Sequence, residues 1–354
     1  MPGKYGSKAA GFTHDGIDPL NVVSPISMQL AKVYSMFNGP ADFQIKFDHW
    51  VAELIQSRKL KPEIFITLQD FMPLSVRAAH ENGALIWSDQ ILNSSSKTIK
   101  RIERHCADFG IKVQPHSELD NDWILSIASI VTVPSSFVEE GVIDRISHTA
   151  KLNRVPYGIN FDLFKPNEKF IPDPNILHVV ARANSVRKGG HLLFEVIERY
   201  SWELLKKSNR SKLKVTFIGG ISAELKFLLD RTRNIENCEI VEGDISHLSL
   251  PDIFGRADFM VMPTLAEGMS LIIPEALACG LPVVSTRFSG VDYLVDNHNG
   301  MLSEDTVDSL FDAMTRMIVM LEDWRVIRSN SRKSVMESGW LNYSSRISKI
   351  CKVN

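Results

Sequence analysis

Short runs of β-branched and aromatic residues, each closed by Gly, Pro or a polar turn and followed by a longer amphipathic stretch, recur along this chain. No other feature constrains the fold as much. Strands separated by helices pair in parallel and need cover on both faces, so the expectation is an α/β protein built from doubly wound, Rossmann-like sheets. In the first half the strand candidates are FQIKF (43–47), EIFIT (63–67), ALIW (84–87) and SIVTV (129–133). Helix candidates lie near 24–37, 48–59, 73–81, 94–109 and 135–146. In the second half ILHVV (176–180), KVTFIG (214–219), CEIVEG (238–243), DFMVMP (258–263) and PVVST (282–286) are sharper, and these five strands are expected to form one open sheet. Beyond 304 the pattern is helical to the end.

A chain of 354 residues exceeds what one core usually supports, which at about 150 residues per domain predicts two domains and a cleft. The stretch VPYGINFDLFKPNEKFIPDPN (155–175) carries four prolines and reads as the passage between them. The expected division is 1–155, 156–335 and a C-terminal helix, 336–354, that crosses back to the first domain. With 40 Lys+Arg against 42 Asp+Glu there is no electrostatic case for nucleic acid or an anionic membrane. Cys106, Cys238, Cys279 and Cys351 are scattered, which argues against a zinc knuckle or a disulfide framework and fits a reducing cytosol. No signal-like leader and no stretch of about 20 apolar residues is present, so the expectation is a cytoplasmic protein with at most peripheral membrane contact.

The chemistry concentrates in DFMVMPTLAEGMSLIIPEALACGLPVVST (258–286). A buried strand ends at Pro263, a loop carries Glu267-Gly268-Met269-Ser270, and a helix is expected from Ser270 or Leu271 until Gly280 stops it. Ligands of such sheets bind beyond the carboxyl ends of the strands. The helix N-terminus offers unpaired N–H groups and a partial positive charge, making Met269, Ser270 and Leu271 a candidate phosphate cradle that Gly268 leaves open to a ligand. Glu267 and Glu275 stand eight positions apart, about 12 Å of rise were both on one helix, and so flank the anion. Carboxylates repel phosphate but accept hydrogen bonds from neutral hydroxyls. Hydroxyls on either side of a diphosphate describe a nucleotide sugar. Read singly, either glutamate is an ordinary loop or surface charge. A second anion site is HVVARANSVRKGG (178–190), where Arg182 and Lys188 follow a strand and can converge on one diphosphate; read singly, each is a solvated loop cation.

These residues resemble the retaining nucleotide-sugar glycosyltransferases of the GT-B fold, in particular family 4. The E-x7-E signature stands as EGMSLIIPE (267–275), followed by SGVDYLVDNHNG (289–300) and preceded by GDISHLSLPDIFGRADFMVMP (243–263). The Arg/Lys pair stands in ARANSVRKGG (181–190), and the inter-domain passage in VPSSFVEE (133–140) and VPYGINFDLFKP (155–166). The resemblance implies two Rossmann-like domains facing across a cleft, the first for the acceptor and the second for the donor. It implies that Arg182 and Lys188 bind the diphosphate and stabilise its departure, that Glu275 takes the ribose hydroxyls, and that Glu267 contacts the transferred sugar near the reacting carbon. Ile245 would lie beside the base, and backbone groups of Gly268, Met269, Ser270 and Leu271 would hold phosphates and sugar. No metal or other cofactor is implied; the co-substrate is the nucleotide-diphosphate sugar, the acceptor a glycan, a lipid-linked group or another hydroxyl compound, and attack would come from the leaving-group face.

The sequence departs from the family where Met269 and Ser270 replace a frequent aromatic residue and glycine, and where no Gly-Gly loop follows the first strand, for which 11–27 is the candidate substitute. Ser88-Asp89 stands where the family often has histidine, making Asp89 a candidate on the acceptor side, with His105 and His116 as further candidates against the plainer reading of structural histidines. Asp120-Asn121-Asp122 mimics a metal-binding DxD but reads as a helix-capping cluster. Lys97, Lys100, Arg101 and Arg104 mark a helix face that would either be solvated or meet an anionic acceptor. The rival readings are a GT-B epimerase or phosphorylase, and a non-catalytic nucleotide-sugar sensor or scaffold subunit.

Overall fold

The computed structural model describes residues 40–69, 71–112 and 122–352, which fall into two compact units, Met1–Ile86 and Trp87–Asn354. The helix expected near 24–37 and the 11–27 loop lie outside the described residues. In the first unit α1 (Pro40–Gln56), β1 (Ile64–Leu68) and α2 (Pro73–Glu81) lead to β2 (Leu85–Asp89). The expected strand 43–47 is therefore part of a helix. Its alternating apolar residues fit a strand only over five positions, whereas Asp48, Ala52 and Ile55 are buried at i, i+4 and i+7 and Ile45 is left exposed. Asp48 explains why so polar a residue is buried there: its carboxylate accepts from the backbone N–H of Leu74 at 2.9 Å and of Ser75 at 2.8 Å, the orphan donors at the start of α2.

The second unit begins within β2. α3 (Ser96–Asp108) and α4 (Asp122–Ile127) precede β3 (Ile130–Val133), α5 (Ser136–Val142) and β4 (Lys151–Arg154), and the small sheet runs in the order β1-β2-β3-β4. β4 has no apolar run; it is a partly exposed edge strand held by parallel pairing from Ile130↔Lys151 to Val133↔Arg154. The larger sheet is made by β5 (Ile176–Ala181), β6 (Lys212–Ile218), β7 (Cys238–Gly243), β8 (Phe259–Met262), β9 (Val283–Thr286) and β10 (Gly300–Ser303). It has six strands rather than five, in the order β10-β9-β8-β5-β6-β7. All pairings within it are parallel.

Both faces of this sheet are buried, as parallel sheets require. On one face Leu177, Val179, Ala181 and Phe217 pack under α6 (Gly190–Ser208), through Leu193 and Val196, and under α10 (Val307–Met320), through Leu310 and Met314. α7 (Lys226–Thr232) adds Leu228 and Leu229, and Ile102, Cys106 and Phe137 join the same core. On the other face Val180, Met260 and Met262 meet Phe254 of α8 (Leu250–Phe254) and Ile273, Ala276 and Leu277 of α9 (Ile272–Ala278). Gly280 ends α9 at φ 76°, with its N–H bonded to Leu277 O and that of Leu281 to Ala276 O, a glycine C-terminus as expected. α11 (Trp324–Ser334) buries Arg328, whose guanidinium donates to the carbonyls of Ala257 and Cys279; burial pushes its pKa down to about 10. α12 (Trp340–Lys352) begins against the linker, with Trp340 packed on Gly158 so closely that a Cβ there would overlap it. Among the described residues no helix is long and apolar enough to cross a membrane.

Candidate donor site at the switch point of the large sheet

β5 is followed on one side by β6 and β7 and, after them, on its other side by β8, so the winding direction reverses between β5 and β8. Loops leaving the carboxyl ends of the two strands diverge at such a point and leave a crevice between them. The loop after β5 carries Arg182, Arg187 and Lys188, and the loop after β8 carries Glu267. The two are tied together: Leu265 N–H and Thr264 Oγ1 donate to the carbonyl of Arg187, and Arg187 Nη1 donates to Ala266 O at 2.6 Å.

Four charges meet there. Glu267 Oε1 lies 3.0 Å from Arg187 Nη1 and 3.4 Å from Lys188 Nζ, with only 14% of the Glu267 side chain exposed. Burial lowers the pKa of Lys188, Glu267 works against that, and the positive charges of Arg182 and Arg187 add to the lowering. Arg182 donates to Ile218 O at the end of β6, its guanidinium lying over Gly219, where a Cβ would collide with it. Three cations and one carboxylate are thus arrayed along the carboxyl edge of β8, β5 and β6. Arg187 has no periodicity or spacing to single it out; its only sequence signal is adjacency to Lys188.

The segment after Glu267 is rigid. Ser270 N–H donates to Ser289 O at 3.0 Å and its hydroxyl to Met262 Sδ, while Met269 Sδ accepts from Tyr157 N–H at 3.1 Å. α9 starts later than expected, after Leu271, and spans seven residues, with the amide of Ser270 already engaged. Gly268 does adjoin a close neighbour, but it is protein: a Cβ would overlap the carbonyl oxygen of Ile91, and Ser135 Oγ donates to Gly268 O at 2.5 Å. Arg101 adds a donor to Leu265 O at 3.3 Å and stacks on the Phe288 ring at 3.7 Å. Sequence reasoning missed Ser135, and it left Arg101 among surface cations.

Glu275, in the first turn of α9, is 12% exposed, and its Oε1 is 2.8 Å from His247 Nε2. Burial raises its pKa and the bond to His247 offsets part of that rise. Ile245 is half-buried against the sheet face and lines a groove of about 400 Å³ with His178, Thr216 and Ile253. On the smaller sheet Asp89 accepts from Thr132 Oγ1 at 2.6 Å, and burial raises its pKa against that bond.

His105 is 4% exposed with both ring nitrogens engaged inside the protein, Nε2 with Asp305 at 3.1 Å and Nδ1 with His191 Nε2 at 3.0 Å. Arg104 also pairs with Asp305, at 3.0 Å, so the α3 face is solvated at Lys97 and Lys100 and internally paired at Arg101 and Arg104. His116, Asp120 and Asn121 lie outside the described residues. Among the described residues no three His, Cys, Asp or Glu side chains converge to hold a metal ion.

Two parallel sheets with helices between their strands, the larger carrying a charged crevice at its switch point, are the elements of the GT-B fold, and solved proteins of that fold superpose on the chain. The chain superposes on sucrose-phosphate synthase from Thermosynechococcus elongatus with a TM-score of 0.67 at 19% identity, covering 88% of this chain and 78% of the other. HepE of Anabaena in complex with UDP-glucose matches with a TM-score of 0.65 at 15% identity, covering 86% and 82%. Residues 174–319 match the family described as Glycosyl transferases group 1. The gpi3 subunit of phosphatidylinositol N-acetylglucosaminyltransferase from Schizosaccharomyces pombe is 21% identical over 222 residues, 62% of this chain and 48% of that protein. D-inositol 3-phosphate glycosyltransferase 2 of Catenulispora acidiphila is 29% identical over 169 residues, 43% of this chain and 38% of that protein. The chain thus spans half or less of the length of these curated relatives.

Proposed function

We propose that this chain is a retaining, metal-independent glycosyltransferase that transfers a hexosyl group from a nucleotide-diphosphate sugar to a hydroxyl acceptor, a glycan or a lipid-linked group. The observation that carries the reading is the pairing of Arg187 and Lys188 with Glu267 across the switch point between β5 and β8, with the charge of Arg182 acting on Lys188 beside them. Three fixed cations suit a leaving group that gains charge as the glycosidic bond breaks, and preorganised charge of this kind is commonly the largest contribution to catalysis. In this reading Arg182 and Lys188 hold the diphosphate, Glu275 the ribose, Ile245 the base and Glu267 the transferred sugar, with the backbone of 268–271 around it. Arg187 orients Glu267.

Attack from the leaving-group face, with a phosphate oxygen taking the acceptor proton, accounts for retention without a carboxylate nucleophile. Residues 1–155 are assigned to the acceptor, with Asp89 on that side, and residues 156–335 to the donor, in a cytoplasmic protein. The named activities of the similar proteins, transfer to inositol compounds among them, support a polyhydroxylated acceptor.

The test is incubation with UDP-, GDP- and ADP-hexoses. Nucleotide release that depends on an added acceptor supports transfer. Binding without release in the presence of any acceptor points instead to a sensor or scaffold subunit.

A further inference from the structure

We infer that His247 is the positioning residue of the nucleoside pocket: it holds Glu275 so that the free carboxylate oxygen faces the ribose, and it thereby sets affinity for the nucleoside part of the donor. This rests on the assignment of Glu275 to the ribose and extends it to a residue that nothing in the sequence singled out.

His247 opens a one-turn helix, His247–Ser249, that follows the GDIS turn and is capped by Ser246 Oγ accepting from Leu248 N–H. Its ring is braced on one edge by the fully buried Phe164, with centroids 5.2 Å apart at 70°, while 59% of the side chain remains exposed. A carboxylate has no proton to give, so in the 2.8 Å contact Nε2 donates to Glu275 Oε1. Burial disfavours the charged form of Glu275, and this donor favours it. The second carboxylate oxygen has no hydrogen-bond partner among the described residues and can accept a ribose hydroxyl. Ile245, two residues before His247, is the side chain expected beside the base, so one short segment would serve both halves of the nucleoside.

The experiment measures dissociation constants for whichever of UDP, GDP or ADP binds best, for its 2′,3′-dideoxy form and for inorganic pyrophosphate. His247→Ala is expected to weaken the nucleoside diphosphate about tenfold, as loss of a hydrogen bond to a charged group does, and to leave pyrophosphate unchanged. The parent should lose affinity when the ribose hydroxyls are removed, and His247→Ala should lose much less. His247→Gln, which keeps a donor, should recover part of the difference, and turnover with saturating donor should fall less than KM rises. Equal affinity of parent and His247→Ala for the nucleoside diphosphate, with Glu275→Ala weakened, overturns the inference while sparing the ribose assignment. If Glu275→Ala also binds like the parent, or the parent binds no nucleoside diphosphate, the assignment beneath it falls as well.

Discussion

Arg187 grips Glu267 and the residue before it: its Nη1 is 3.0 Å from the Glu267 carboxylate and donates at 2.6 Å to the carbonyl of Ala266. One guanidinium therefore fixes both the side chain and its backbone. Arg187→Ala is expected to lower kcat by about two orders of magnitude, the scale of losing one preorganised electrostatic contact, while nucleoside diphosphate affinity falls only a few-fold because Arg182 and Lys188 remain. Steady-state kinetics alongside calorimetric binding would decide it; a loss confined to binding contradicts the orienting role.

Ser135 reaches from the segment after β3 to the loop of Glu267 and Gly268. Its Oγ donates to Gly268 O at 2.5 Å and accepts from Val138 N–H, capping α5. Ser135→Ala leaves a buried carbonyl without its donor and a helix without its cap, together about 2–4 kcal/mol. Denaturant unfolding should show a loss of this size, and a change below about 0.5 kcal/mol counts against the contact.

Gly268→Ala places a methyl group on the carbonyl oxygen of Ile91, and a backbone atom cannot yield as a flexible side chain would. Overpacking of a rigid site costs about 1–3 kcal/mol or more, so the variant should melt lower than the parent and transfer sugar poorly. An alanine variant with parental melting temperature would mean that the two segments are separated in solution.

His191 is fully buried, and burial first and the neighbouring His105 second push its pKa down to about 3. Its folded pKa lies below its unfolded value near 6.5, so the unfolded chain binds the additional proton as pH falls. Stability attributable to His191 is complete above about pH 6.5 and is lost at about 1.4 kcal/mol per pH unit on acidification towards pH 3. Thermal melts of the parent against His191→Phe between pH 7 and pH 4 should show a shallower acid decline in the variant; parallel declines would assign the acid sensitivity elsewhere.

The large sheet was readable because its strands are short apolar runs bounded by Gly, Pro or charge: β7 matches its sequence limits, β5 and β9 differ by one residue at one end, β8 by one at each end, and β6 begins two residues earlier and ends one earlier. β4 and β10 escaped because KLNR and GMLS have no apolar run to announce them; only pairing to β3 and β9 makes them strands. The 43–47 misreading came from a five-residue alternation too short to outweigh the longer helical period around it. In the site, Glu267 and Glu275, and separately Arg182 and Lys188, stood out through the spacing of each pair within its own segment. His247 and Arg187 did not, because their partners are 28 and 79 residues away and no local pattern encodes such a meeting.

The reversal of winding at β5 has a consequence for how the molecule comes into being. β5, β6 and β7 can zip together as soon as residue 243 has emerged, but the strand that delivers the acidic loop arrives later and must insert against the opposite flank of β5. The crevice therefore forms only once β8 has docked against β5, and capture of the proposed nucleotide ligand would signal that this step of folding is complete.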